Sequence, residues 1–262
     1  MRISRVREKL NNRQPVIVTK INSLDPVFAD MVGLIGYDCL WLCQEHTPID
    51  GDRLGHLIRT CNMNNMDTMV RVGKGSYSDF IRPLELGATG IMVPHCMSAA
   101  EARAIVQSTR FQPVGRRPID SGNSDGAYCM IPLAGYIKHT SEQTFIVVQI
   151  EDPEAVAEAE EIASIPGIDV IFIGPGDLSH AMGRPGDASH PDVAAAIDSV
   201  IAACNRYGRP WGIPVSPETA PKYIEKGALF LTSGADVLGL SAYWMAQRAK
   251  FEAMGVKFQP KV

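Results

Sequence analysis

The residues of this chain best equipped for chemistry gather where short apolar runs stop. One run, Phe145-Ile146-Val147-Val148-Gln149-Ile150, ends on Glu151-Asp152, and another ends Phe172-Ile173-Gly174-Pro175-Gly176-Asp177-Leu178-Ser179. In a strand the side chains alternate, so Gln149 and Glu151 share one face and Ile150 takes the other. The plainer alternatives are Glu151 as a charge at the start of the helix that Pro153 opens, and Asp177 as an N-cap. Two carboxylates at neighbouring strand ends repel, however, and a cation or a proton between them relieves the cost. Oxygen ligands from few protein groups, with positions left for water, suit magnesium or manganese. The amide N–H groups of Gly176 and Asp177, at a helix start, suit a substrate carboxylate. A 2-oxo acid then has a place for its ketone and for both carboxylate oxygens.

Two further run ends are polar. Thr68-Met69-Val70-Arg71-Val72-Gly73 carries an arginine that is costly inside a fold unless it meets an anion: Glu151, Asp177 or developing enolate charge. Trp41-Leu42-Cys43-Gln44-Glu45-His46 places a histidine where a proton-transfer group is useful, with Glu45 facing the other way and read as scaffold. The Gly73-Lys74-Gly75-Ser76 loop is a weak phosphate signal. Lys20 and Lys74 are the candidates for a Schiff base, and neither has an evident neighbour to lower its pKa.

Strands must hold these ends, and the β-branched or apolar runs place them near 15–19, 39–43, 68–72, 90–93, 145–150, 169–173, 211–213 and 229–232. Helical stretches lie between them. Residues 153–165 read as one helix opened by Pro153, and 191–206 as another with Ser189 as its cap. Such alternation implies parallel pairing, and repeats of about 30 residues favour a closed (β/α)8 TIM barrel of one domain over residues 1–262. A doubly wound sheet would show Gly-x-Gly-x-x-Gly after its first strand, where this chain has Lys20-Ile21-Asn22-Ser23. Residues 111–131, with several Gly and Pro and a polar Ser-Gly-Asn-Ser-Asp-Gly core, read as a long loop forming a lid or substrate wall.

At 262 residues, 45% apolar and 21% charged, the chain has enough material for such a core. A formal charge of -4 with no basic run argues against nucleic acid. No stretch reaches the ~20 apolar residues of a membrane span, and the opening Met-Arg-Ile-Ser-Arg-Val-Arg lacks a signal peptide's apolar core. Six cysteines without a Cys-x-x-Cys pair suggest free thiols in a reducing, cytoplasmic setting.

Together the motifs resemble the class II, metal-dependent pyruvate aldolases typified by 4-hydroxy-2-oxo-heptanedioate aldolase and 2-dehydro-3-deoxy-glucarate aldolase. The likeness runs from about residue 14 to 250 and rests on Glu45-His46, Arg71-Val72-Gly73, Leu86-Gly87, Val93-Pro94, Gln149-Ile150-Glu151 and Phe172 to Ser179. It implies Glu151 and Asp177 as ligands of a divalent cation (Mg2+, Mn2+ or Co2+), Arg71 on the ketone and enolate oxygen, Gln149 orienting the substrate, and His46 moving a proton. It also implies an acidic partner for His46 from a neighbouring subunit, at Glu85 here, where aspartate is commoner. A homo-oligomer, trimer or hexamer, with a last helix near 235–254 exchanged between subunits is implied as well. The implied reaction is reversible aldol cleavage of a 4-hydroxy-2-oxo acid to pyruvate and an aldehyde. Two alternatives stay open: a citrate-lyase-like acyl-CoA lyase, for which Arg116 and Arg117 are the local basic groups, and a non-catalytic barrel that binds a 2-oxo acid. Three positions depart from the pattern. Pro118 replaces a glycine, Cys43 stands where aspartate is frequent, and His95 follows Val93-Pro94 in place of an apolar residue, where it reads as a contact to the aldehyde.

Overall fold

β-branched and aromatic side chains fill eight short runs, and each becomes a strand. They are β1 (Val16–Lys20), β2 (Cys39–Cys43), β3 (Asp67–Arg71), β4 (Gly90–Val93), β5 (Phe145–Ile150), β6 (Val170–Ile173), β7 (Trp211–Pro214) and β8 (Phe230–Ala235). The computed structural model describes residues 2–259. Each strand pairs in parallel with the next and β8 closes on β1, giving the expected barrel in order β1 to β8.

Alternation sorts the strand residues into two dry layers. Val18, Cys39, Trp41, Cys43, Met69, Met92, Phe145, Val147, Val170, Phe172 and Phe230 fill the interior. Trp41 meets Phe172 edge-on at 5.8 Å, and Phe172 meets Phe230 at 6.3 Å, so aromatic rings plug the barrel beneath its mouth. Leu40, Leu42, Val70, Ile91, Ile146, Val148, Ile150, Ile171 and Ile173 point outward under the helices.

Those helices are α1 (Arg5–Asn11), α2 (Pro26–Ile35), α3 (Gly51–Met63), α4 (Tyr77–Glu85), α5 (Ala99–Thr109), α6 (Leu133–Gln143), α7 (Pro153–Ala157), α8 (Ala159–Ser164), α9 (Pro175–Ala181), α10 (Pro191–Arg206), α11 (Ala220–Glu225) and α12 (Asp236–Glu252). Two expectations are corrected. The single helix expected over 153–165 breaks into α7 and α8 at Glu158, whose φ of -102° and ψ of 12° leave the helix and whose carboxylate accepts from the Ala99 N–H at 2.7 Å. The cap of α10 is His190, whose Nδ1 accepts from Asp192 N–H at 3.3 Å, and not Ser189.

The bottom of the barrel is closed by α1, which adds Val6 and Leu10 to the interior layer. Asp67, buried at the start of β3, fastens it: its Oδ2 accepts from Ser4 Oγ at 2.6 Å and from Val6 N–H at 2.8 Å, and Oδ1 pairs with Arg2. Removing this carboxylate strands several donors at once. Asp67→Ala is therefore expected to lower stability by about 3 kcal/mol, read from the urea midpoint at unchanged slope.

Candidate active site

The mouth lies at the C-terminal ends of the strands, and its centre is Glu151, one residue beyond β5 and 1% exposed. Gln149, on the same face, donates from Nε2 to Glu151 Oε2, as alternation requires. The His95 amide donates to Glu151 Oε1 at 2.9 Å. Space for the carboxylate comes from Gly174 at the end of β6: a Cβ there would lie 2.3 Å from Glu151 Oε2 and 3.0 Å from Gln149 Nε2. Gln149 Oε1 is buried without a hydrogen-bond partner among the described residues, so a hydroxyl-bearing ligand has an acceptor waiting.

Asp177 follows in the first turn of α9, exposed above the buried Glu151. The first amide of this turn to bond back is Leu178, to Gly174 O at 3.1 Å, so Gly176 and Asp177 keep the free amides of a helix start. Open space faces Gly176. His95, Glu151 and Asp177 each offer one ligand atom, all within 4.8 Å of one another, a set that can hold a metal ion. Burial, with Asp177 adding repulsion, pushes the Glu151 carboxyl from its ordinary 4.5 up to about 7, although the His95 amide and ring and Arg71 oppose the shift. A carboxylate so poorly tolerated as an anion, beside another carboxylate, fits a divalent cation.

Arg71, at the end of β3, pairs in register with Cys43. Its Nε and Nη2 lie 3.3 and 3.2 Å from Cys43 Sγ, and its guanidinium stacks on Trp41 at 4.9 Å. Glu45 Oε2 completes the cradle 2.9 Å from Arg71 Nε. The thiol thus supports the arginine where an aspartate was the familiar residue. His46 is exposed, 58% at its side chain, with Nε2 3.5 Å from that same Glu45 oxygen.

Glu45, expected as scaffold, stands between Arg71 and His46, with one carboxylate oxygen facing both. The signal was available, because Cys43 faces the interior and Glu45 lies two residues on, although the chain leaves β2 between them. His95, expected near the aldehyde, has its ring in the carboxylate cluster, Nδ1 2.9 Å from Asp152 Oδ2 and 3.6 Å from Glu151 Oε1. Burial favours the neutral ring, but Asp152, Glu151 and Glu45 outweigh it and raise the pKa.

Glu85, at the end of α4, stands apart from this cluster on a cavity of about 550 Å³ with Gln44, Lys74, Asp79 and Asn123. Burial, with Asp125 and Asp120 against Arg117, raises its carboxyl pKa. Within one chain its side chain makes no ion pair among the described residues. Of the two basic residues in the long loop only Arg116 is exposed; Arg117 is buried, paired with Asp125 at 2.7 Å and stacked on Phe111 at 4.8 Å. Asp125 also accepts from Tyr136 Oη at 2.8 Å, so this loop is pinned from within. Lys74 donates to His95 O at 2.6 Å and pairs with Glu101 at 3.0 Å, and Lys20 lies over the Trp41 ring at 5.7 Å.

Comparison with known proteins gives the family and the fold. The family described as HpcH/HpaI aldolase/citrate lyase matches residues 19–241. A 2-dehydro-3,6-dideoxy-6-sulfogluconate aldolase of Pseudomonas putida is 33% identical over 87% of this chain and 89% of its own. A hydroxypyruvate/pyruvate aldolase of Pseudomonas aeruginosa is 32% identical over 89% of this chain and 87% of its own. Among solved structures, the citrate synthase SbnG superposes with a TM-score of 0.87 at 26% identity, covering 95% of this chain and 98% of that one.

The raised Glu151 pKa has a thermodynamic consequence for the metal-free protein. Between pH about 4.5 and about 7 the folded protein keeps a proton that the unfolded chain has released, so stability falls as pH rises through that window. The loss is on the order of 3 kcal/mol at most. Urea unfolding of metal-free protein against Glu151→Gln is expected to show the variant losing less stability across the window, and a saturating divalent cation should remove the wild-type penalty.

Proposed function

This chain belongs to the HpcH/HpaI aldolase/citrate lyase family, and we propose that it reversibly cleaves a 4-hydroxy-2-oxo acid to pyruvate and an aldehyde. The observation that carries the reading is the buried Glu151, grouped with Gln149, Asp177 and Arg71 around one point of the mouth.

Glu151 and Asp177 hold the divalent cation, Mg2+, Mn2+ or Co2+, which supplies Lewis-acid polarisation of the 2-oxo group. The free amides of Gly176 and Asp177 receive the substrate carboxylate, and Gln149 helps orient the bound substrate. His46 takes the proton of the C4 hydroxyl; the C3–C4 bond breaks, its electrons pass to the C2 oxygen, and the aldehyde leaves. Arg71 faces the enolate oxygen with a guanidinium already fixed by Cys43, Trp41 and Glu45, so little reorganisation is needed as charge develops. Protonation of C3 then gives pyruvate. Glu45 holds His46 and Arg71 to one carboxylate oxygen, and Glu85 of a neighbouring subunit completes the proton path that the exposed His46 leaves open.

The aldehyde end has its own space. A cavity of about 730 Å³ adjoins Trp41 and is edged by Lys20, Asn22, Ser216, Thr219 and Thr232. Hydroxyls, an amide and an ammonium group suit a polar or acidic aldehyde. The acyl-CoA alternative loses one of its basic groups, because Arg117 is spent on Asp125.

The oligomer reading is supported by α12, none of whose residues is buried and which exposes Leu238, Tyr243, Trp244, Met245 and Phe251. Such a face needs a cover, and exchange of this helix between subunits of a trimer or hexamer supplies it. Free thiols, five of them buried, support a reducing cytoplasm. Among the described residues no helix is long and apolar enough to cross a membrane.

Pyruvate release from a panel of 4-hydroxy-2-oxo acids is expected to vanish with EDTA and to return with Mg2+, Mn2+ or Co2+. Glu151→Gln should remove it at every metal, and Arg71→Lys should lower kcat by about 10²–10³. Metal-independent release would refute the reading. Light scattering should give an assembly of several chains, with Trp244→Glu shifting it toward smaller species while the helical dichroism persists.

A further inference from the structure

Two carboxylates suffice for the metal reading above, and His95 is left over. Its backbone lies at φ 47°, the left-handed region that favours glycine, so holding it there has a cost that the surroundings must meet. They do so from three sides. The His95 N–H donates to Glu151 Oε1 at 2.9 Å, its carbonyl accepts from Lys74 Nζ at 2.6 Å, and its ring Nδ1 lies 2.9 Å from Asp152 Oδ2. Lys74 is itself held by Glu101 at 3.0 Å. The result of this bracing is that an imidazole nitrogen joins Glu151 and Asp177 in a set whose ligand atoms lie within 4.8 Å of one another.

We propose that His95 is a third protein ligand of the divalent cation, making the centre a nitrogen and two-carboxylate site. Its outer contacts suit that role. Metal-binding histidines commonly give their other ring N–H to a carboxylate, which fixes the ring and strengthens the ligand. Here Asp152 Oδ2 stands 2.9 Å from Nδ1, which leaves Nε2 as the nitrogen for the cation. A plain His95–Asp152 ion pair explains the 2.9 Å contact but gives no reason for the strained backbone that carries the ring in among the carboxylates.

The chemical consequence is a change of preference. An imidazole in an oxygen set favours manganese, cobalt or zinc over magnesium, which is best served by oxygen alone. The inference rests on the metal reading of Glu151 and Asp177 and does not depend on which substrate is cleaved.

The test uses metal-free full-length protein without substrate. Titration with Co2+ and with Mg2+ is expected to show His95→Gln weakening Co2+ by at least about tenfold, with Mg2+ changed less than about threefold. Pulsed electron paramagnetic resonance of the unmutated protein loaded with Mn2+ should show the nitrogen coupling of a bound imidazole, which needs no variant to fold. Absence of that coupling, or an equal loss of both metals in His95→Gln, overturns the proposal while leaving the two-carboxylate site standing. If Glu151→Gln binds Mn2+ as tightly as wild type, the cation lies elsewhere, and both this proposal and the metal reading beneath it fall.

Discussion

A carboxylate buried at the top of β5 is the constraint around which the mouth of this barrel is organised. Glu151 is removed from water, beside a second acidic residue, with its neighbours arranged to receive it: an amide from Gln149, a main-chain N–H from His95, and the missing side chain of Gly174. Two partners cannot fully replace the water that a carboxylate loses, which is why its pKa rises. A cation in front of it would turn that deficit into binding energy. Gly174 shows how closely the arrangement is drawn, since one methyl there would occupy the space of a carboxylate oxygen.

Arg71 solves the complementary problem. A guanidinium at a barrel mouth needs partners that hold it without neutralising it. A thiol edge and an aromatic face do that, with Glu45 as its one ion-pair partner among the described residues. The aromatic plug of Trp41, Phe172 and Phe230 below excludes water from beneath the site, so the fixed charges act at reduced dielectric. Gln149, Glu151 and Arg71 then stand above this plug, at the mouth.

Much of this was legible because parallel strands buried on both faces read as unbroken apolar runs, and β2, β4 and β5 begin and end where those runs do. Alternation put Gln149 and Glu151 on one face, and the structure joins them with a hydrogen bond. What escaped was decided by backbone outside the strands. Glu45 and His46 sit in a turn after β2, where period-two reasoning weakens, and their side chains approach to 3.5 Å where alternation had set them on opposite faces. His95 enters the cluster through a left-handed backbone that no residue type but glycine announces. Arg117 looked like a surface base in a polar loop, and its burial depends on Phe111 and Asp125 folding around it. The break between α7 and α8 follows from Glu158 turning to bond the Ala99 amide, a long-range contact invisible to helical periodicity.

Enolate formation is the step on which the account stands, and it can be watched without any aldehyde. Pyruvate incubated in D2O with the metal-loaded protein is expected to exchange its methyl protons, followed by proton NMR, at a rate that EDTA abolishes and that Arg71→Gln lowers by at least about a hundredfold. Protein that binds the divalent cation and pyruvate yet leaves those protons unexchanged would contradict the account at its centre.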